Sequence, residues 1–371
     1  MDELLRPTEV GMYSPVAGFH IDPIRPVPWA VLTHAHADHA RPGSRRYLAA
    51  AASGPLLRMR LGGDAEIELM RFGERRTVGG VAVSFHPAGH IRGSAQVRLE
   101  HRGRVAVVSG DYKLGEDPTC EPWEPVRCHL FVTESTFALP VYRWPRSQDV
   151  FASIRRWCAA NRQAGRCSVL FGYAIGKSQR LIAGLVGRRP GMDDATPLTG
   201  PIYTHGAVER GVAAYRESGV ALPETVPVAS VARRHDWSGA VVIGVPSARG
   251  TPWARRFGPT ATAMASGWMA IRGALRRRNV DRGFVLSDHV DWPDLLTAVS
   301  ETGAEEVWAT HGYAAAVARF LRGRGIHAKA VDDLVRRSDD DSDLEFGHDS
   351  DLEFGHDSDL EFGHDSGGGE E

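Results

Sequence analysis

Between Val31 and His39 the chain reads VLTHAHADH, which puts four potential metal ligands, His34, His36, Asp38 and His39, into six consecutive positions. The apolar residues before them bring a strand to its end. His34 and His36 are two apart, so on extended backbone their side chains face the same side. Asp38 and His39 are adjacent, which suits a tight turn that separates them from the first pair. The spacing predicts two neighbouring metal sites rather than one tetrahedral cage. Imidazole and carboxylate donors suit Zn²⁺, Mn²⁺ or Fe, and the lack of cysteine in the cluster argues against a purely structural zinc.

Further ligand types stand where other strands should end. His90 lies in PAGHIRGS, with small neighbours that would let backbone approach an ion. Asp111 follows the apolar run VAVVSG, the position for a carboxylate shared by two ions. Asp22, in HIDP, could orient a ligand histidine from outside the coordination sphere. The four cysteines, Cys120, Cys128, Cys158 and Cys167, form no C-x-x-C pair and read as reduced thiols rather than a disulfide framework.

The elements that must carry these residues alternate along the chain. Apolar runs predict strands at Ala30–Thr33, Ile67–Phe72, Val81–Phe85, Ala95–Glu100, Val105–Ser109 and Leu130–Thr133, with HRGR (101–104) as a tight hairpin turn. From about Ser147 the pattern becomes βα. Helices are expected at Gln148–Gln163, Lys177–Val186 and Val208–Ser218. Strands are expected at Ser168–Tyr173, Ile202–Thr204, Val241–Val245, Thr260–Met264 and Gly283–Ser287. A helix from Trp292 and a β-α-β stretch over Glu306–Val331 close the body. A strand-rich part followed by a helix-bearing parallel part points to an α/β protein with one domain inserted into another.

The H-x-H-x-D-H cluster resembles the signature of the metallo-β-lactamase superfamily, whose two sheets are sandwiched between helices in an αββα order with metals at one sheet edge. By position, the resemblance puts His34, His36 and His90 on a first metal and Asp38 and His39 on a second, with Asp111 bridging. Three later segments resemble the β-CASP nuclease branch: TEST (133–136) with Glu134, LSDHVD (286–291) with His289, and ATHG (309–312) with His311, which would complete the second metal. LFGYAIGKSQR (170–180) resembles the strand-turn-helix that opens that branch's cap domain, and ASGWM (265–269) its late strand end. THAHADHARPG (33–43) and HIDP most resemble the bacterial ligase-associated DNA exonucleases, whereas a histidine at the third motif is shared with RNA-processing members.

The resemblance implies a metal-dependent phosphodiesterase cutting nucleic acid, a DNA exonuclease in repair beside a DNA ligase or helicase; the alternatives are an RNA-processing exo- or endoribonuclease of the same branch and a small-molecule metallo-hydrolase. Two divalent ions, Zn²⁺ or Mn²⁺, would stabilise charge on the attacking and leaving oxygens. Asp38 would orient the nucleophile, and His289, held by Glu134, would serve as general acid or phosphate contact. Lys177, Ser178, Arg180, Ser266 and Gly267 would touch the substrate backbone in a cleft below the cap. The expected division is a metallo-β-lactamase domain over 1–140, a cap over 141–282, a return segment over 283–337 and a tail over 338–371.

Charge agrees with a polyanionic partner. Residues 1–337 hold all 44 Lys and Arg against 32 Asp and Glu, a formal net of +12. The remaining acids lie in the tail, where DSDLEFGH repeats three times from Asp341 to His364. Its negative charge and few apolar residues predict disorder. No run of eighteen apolar residues occurs and the N-terminus lacks a secretory h-region, so a cytoplasmic protein without a membrane span is expected. If the acidic tail competes with nucleic acid for the basic body, deleting Ser338–Glu371 will tighten binding to single-stranded oligonucleotides at low salt. Equal affinities with and without the tail rule that competition out.

Overall fold

A computed structural model describes residues 1, 3–186, 198, 200–271, 273 and 279–331; the acidic repeats expected to be disordered lie outside them. The first sheet runs in chain order: β1 (Arg6–Thr8), β2 (Gly11–Ser14), β3 (Phe19–Ile21), β4 (Ala30–Leu32), β5 (Tyr47–Ala50) and β6 (Ile67–Met70). Helix α1 (Gly54–Leu61) covers its outer face, with Leu56 and Leu57 packing on Ala30, Leu32 and Tyr47.

The second sheet is built from β7 (Arg75–Val78), β8 (Val81–Pro87), β9 (Ala95–His101), β10 (Arg104–Val108) and β11 (Leu130–Glu134), joined much later by β18 (Glu306–Thr310) and β19 (His327–Ala330). Its order is β19-β18-β11-β10-β9-β8-β7. The β7–β10 side is antiparallel and the β10-β11-β18-β19 side parallel. The β9–β10 turn is the expected two-residue hairpin, with Arg102 and Gly103 both at positive φ. All five positions of β11 are buried, as a parallel strand covered on both faces requires.

Alternation along the strands divides two cores. Phe19, Ile21, Val31 and Leu48 of the first sheet meet Val83, Val97, Ala106 and Val132 of the second. On the second sheet's other face, Val105, Val107, Phe131 and Val307 pack under α6 (Trp292–Thr302) and α7 (Ala314–Arg322) through Leu295, Val299, Val317 and Leu321.

Between β11 and α6 the chain builds a third sheet, parallel throughout, in the order β14-β13-β15-β12-β16-β17. Its strands are β12 (Cys167–Phe171), β13 (Ile202–Thr204), β14 (Thr225–Pro227), β15 (Val241–Gly244), β16 (Thr260–Ala265) and β17 (Arg282–Phe284). Helices α2 (Ser147–Gln163), α3 (Lys177–Val186) and α4 (Gly206–Glu217) cover one face through Ile154, Leu181, Leu185, Val208 and Val212, and the one-turn α5 (Pro252–Arg255) lies between β15 and β16. Tyr215 of α4 also reaches the outer core of the first sheet. The protein is thus α/β, with a parallel unit between strand-rich segments. Because β17 pairs with β16, the third sheet extends to Phe284.

Several elements escaped the sequence reading. Strands β1–β3, β5 and β7 span three or four residues each, too few for a period to show. Helix α1 follows an alanine run that suits either state. No described helix is long and apolar enough to cross a membrane.

The loop after β8 is clamped at Gly89, whose φ is +79° and whose added Cβ would lie 2.2 Å from the Lys113 carbonyl oxygen. Gly89→Ala should therefore lower the unfolding free energy by at least about 2 kcal/mol in a denaturant titration. An unchanged midpoint would show that the 113 loop yields freely.

Candidate metal centre

The candidate ligands sit where strands stop. The segment carrying His34, His36, Asp38 and His39 begins one residue after β4; His90 follows β8, Asp111 follows β10, Glu134 ends β11, and His311 follows β18. His289 follows β17, so the third sheet delivers it to the same place. Past Thr33 the backbone turns back, and the Ala40 N–H donates to the His36 carbonyl at 2.8 Å. That turn does not separate His39 from the first pair but brings its ring back to 4.1 Å from the His34 ring, centre to centre.

One nitrogen each from His34, His36 and His90 and one oxygen of Asp111 lie within 4.8 Å of one another. His36 Nδ1 is 3.1 Å from His34 Nε2 and 3.0 Å from His90 Nε2. Asp111 Oδ2 is 3.5 Å from His34 Nε2, 3.7 Å from His90 Nε2 and 3.5 Å from His39 Nε2. Asp38 Oδ2 stands 3.5 Å from the same nitrogen of His39, and the His311 ring lies 5.7 Å from the His39 ring, centre to centre. Asp111 thus stands between a three-histidine group and the Asp38–His39–His311 group. It also forms a second cluster with Glu134 and His289.

The outer nitrogens decide what the inner ones can do. His90 Nδ1 is 2.7 Å from the Asp288 carbonyl oxygen, and His36 Nε2 is 3.3 Å from that of Ile175. A carbonyl only accepts, so each ring places its proton there. Thr33 commits its hydroxyl proton to Asp22 Oδ2, so its oxygen accepts from His34 Nδ1 at 3.1 Å. His39 Nδ1 donates to Asp22 Oδ2 at 2.7 Å, the outside orientation expected of Asp22. Burial holds His34 and His90 well below the ordinary histidine pKa, hence neutral. Their inward nitrogens therefore carry lone pairs, and these converge with one from His36 at about 3 Å and with a carboxylate. Such a set repels itself unless a cation sits inside it. Tetrahedral ligation at about 2.0–2.1 Å puts donor atoms about 3.3 Å apart, close to this spacing.

The carboxylate is ready for that task. Burial opposes the charge on Asp111, but His39 and His289 outweigh it and hold its pKa well below the usual range. Glu134 is 1% exposed; its Oε1 accepts the Tyr112 N–H at 2.9 Å, and its Oε2 accepts from His289 Nδ1 at 2.9 Å. The Trp144 indole N–H holds the His289 carbonyl at 2.8 Å, and Phe137 packs beside the ring. Ser135 ties the two later segments together: its hydroxyl donates to the His311 carbonyl, and its own carbonyl accepts from Tyr313 N at 3.0 Å. His311 itself has φ +61°.

The expected substrate contacts need correction. Lys177, Ser178 and Arg180 are buried. Lys177 Nζ lies 2.8 Å from Asp288 Oδ2, Arg180 Nη1 2.7 Å from Asp288 Oδ1, and the Ser178 hydroxyl donates to the Tyr173 carbonyl at 2.7 Å. Ser266 caps the turn at Trp268, and a Cβ on Gly267 would meet Phe137 at 2.7 Å, so neither offers an open approach. Trp268 packs on Phe137 at 4.7 Å between ring centres. Arg41 is exposed, and Arg60 lies in the electrostatic field of both Asp38 and Arg41; no residue type or spacing in the sequence singles out either arginine.

Ligation at His39, as the sequence motif implies, would carry a pH signature. Burial disfavours its charge, yet Asp38, Asp111 and Asp22 outweigh that and lift its pKa well above 6.5, so the metal-free ring is protonated at neutral pH. A metal must displace that proton, so affinity falls as pH is lowered, by about tenfold per unit for one proton. Calorimetric titration in two buffers of different ionisation enthalpy should register the released proton. Uptake of two ions without release would remove His39 from the ligand set.

No family model matches the chain. A protein named "Probable DNA ligase" from Opitutus terrae is 33% identical over 341 residues, covering 91% of this chain and 31% of that protein. "Cleavage and polyadenylation specificity factor subunit 3" of Dictyostelium discoideum is 27% identical over 121 residues, 32% of this chain and 15% of that one. "Endoribonuclease ysh1" of Aspergillus fumigatus is 28% identical over 119 residues, 31% of this chain and 13% of that one. The chain therefore spans less than a third of the length of these curated relatives. Among solved structures, a protein of unknown function from Enterococcus faecalis shares the fold at TM-score 0.53 and 12% identity, covering 76% of this chain and 74% of that one. Similarity along nine-tenths of the chain to the first of these relatives, and along a third of it to the two RNA-processing proteins, which are β-CASP members of the metallo-β-lactamase superfamily, agrees with the branch that the sequence motifs resemble, as do the converging histidines and Asp111.

Proposed function

We propose that the protein is a metal-dependent nuclease that hydrolyses phosphodiester bonds in nucleic acid, as a DNA exonuclease acting in repair with a ligase. The observation that carries the reading is the convergence of inward lone pairs from His34, His36 and His90 on Asp111. In this reading His34, His36 and His90 hold one divalent ion, Zn²⁺ or Mn²⁺. Asp38, His39 and His311 hold the other, and Asp111 is shared. Such ions supply Lewis-acid stabilisation of charge on the attacking and leaving oxygens. The two face-to-face sheets act as the metallo-β-lactamase sandwich, and the third sheet with its helices as the inserted cap.

The chain's own residues then divide the work. Asp38 orients the attacking water. Glu134 holds one His289 proton at Nδ1, so the proton given to the leaving oxygen is a second one, taken up at Nε2 to make the imidazolium and lost again on delivery. Arg41 and Arg60, beside Asp38, take over the phosphate contact that buried Lys177 and Arg180 cannot make. DNA is favoured because the long similarity is to a protein named a probable DNA ligase. A second reading, cleavage of RNA, draws on His311 and on the shorter likeness to the relative named an endoribonuclease.

Purified protein with Mn²⁺ or Zn²⁺ on end-labelled single-stranded DNA and the matching RNA tests both. Metal-dependent cutting should vanish in His36→Ala. His289→Ala should keep its metals and lose about 10²–10⁴-fold in rate. Preference for RNA moves the assignment to the second reading; no cutting of either polymer by a metal-loaded protein removes the nuclease reading.

A further inference from the structure

Five charged side chains next to the centre have no part in that scheme. Lys113, Asp117, Lys177, Arg180 and Asp288 have side chains no more than 8% exposed and form one cluster. Asp117 Oδ2 lies 2.8 Å from Lys113 Nζ and 3.2 Å from Arg180 Nε. Asp288 lies 2.8 Å from Lys177 Nζ and 2.7 Å from Arg180 Nη1, with Lys113 Nζ 3.9 Å away. The cations also grip the backbone: Lys177 Nζ donates to the Leu286 carbonyl and Arg180 Nη1 to that of Ser287, each at 2.6 Å. Three successive residues, 286–288, are thereby fixed from the side of α3.

Stability is a poor account of this arrangement. Desolvating five charges is costly, and apolar residues of similar volume often serve a core as well or better. Position is a better account, because every member sits on a segment that builds the site. Lys113 and Asp117 follow Asp111, and the Lys113 N–H donates to the Ala88 carbonyl at 3.0 Å, beside the loop of His90. Lys177 and Arg180 open α3 directly behind Ile175, whose carbonyl takes the His36 proton. Asp288 uses its own carbonyl to take the His90 proton, and its neighbour His289 meets Glu134.

We propose that this cluster is a positioning device centred on Asp288, through which the parallel unit takes part in building the metal centre. By pinning the peptides of Ile175 and Asp288, it turns His36 and His90 with their lone pairs inward, and it sets the reach of His289. Asp288, Lys177 and Arg180 are positioning residues: they touch neither metal nor substrate. The inference rests on the metal-centre reading above.

The test uses the full chain with Co²⁺ as probe. Asp288→Asn keeps the volume and the peptide carbonyl while releasing the cations, and Arg180→Met removes the main grip. Each variant should keep the wild-type far-ultraviolet circular dichroism, bind Co²⁺ about 10–100-fold more weakly, and show altered visible absorption bands of the bound ion. Folded variants with wild-type affinity and bands would overturn the proposal. Should neither variant fold, long-range proton–nitrogen NMR of the metal-free wild type decides. His36 protonated at Nε2 and His90 at Nδ1 support the device, and the reverse tautomers overturn it. Wild-type protein that takes up no Co²⁺ removes the metal-centre reading and this inference with it, a result distinct from unaltered variants of a protein that binds.

Discussion

An imidazole offers its metal-facing nitrogen as a lone pair only when something on its other side holds the proton, and four rings here meet that condition at once. The oxygens that do so come from far apart in sequence: Asp22 before β4, Thr33 after it, Ile175 ahead of α3 and Asp288 after β17. Neither packed sheet could supply them alone. The first sheet provides the outer partners of His34 and His39, and the parallel unit provides those of His36 and His90. The interlocking of an inserted α/β unit with two face-to-face sheets is what brings those oxygens within reach.

The same demand explains where the backbone departs from easy conformations. Asp22 and His311 have φ of +46° and +61°, costing about 1–3 kcal/mol each by general experience with such residues. Both are over-determined by their surroundings. Asp22 is held by its N–H to the Val31 carbonyl and by Thr33 and His39 on its carboxylate, and His311 by the Ser135 hydroxyl. Buried charge is a further cost: desolvation pulls the Lys177 ammonium down to about 8 even with Asp288 beside it. These costs gather within the region of the centre, and the apolar cores on either side carry the fold.

Much of this was legible in the sequence because ligand types and strand ends are local signals. The run VLTHAHADH, the aspartate after VAVVSG and the small residues flanking His90 each announce themselves within ten residues. Helix α3 falls at the expected bounds, and the HRGR hairpin closes as its glycine suggests. What could not be read depends on partners remote in sequence. Lys177 and Arg180 look like phosphate contacts until Asp288, more than a hundred residues away, is seen to bury them. The carbonyls of Ile175 and Asp288 have no sequence signature at all, since every residue has one. The first three strands were too short to show a period and are held by pairing with their neighbours.

Those two carbonyls also set which parts of the centre selection can adjust in small steps. The partner of His39 is a side chain, so exchanging Asp22 changes the basicity of that ring directly. The partners of His36 and His90 are main-chain atoms, which survive any exchange of the residue that bears them. Donor strength on the His39 side is therefore open to gradual evolutionary tuning by point mutation. For His36 and His90 it is inherited with the path of the chain, and changes only when the backbone itself is re-routed by insertion or deletion.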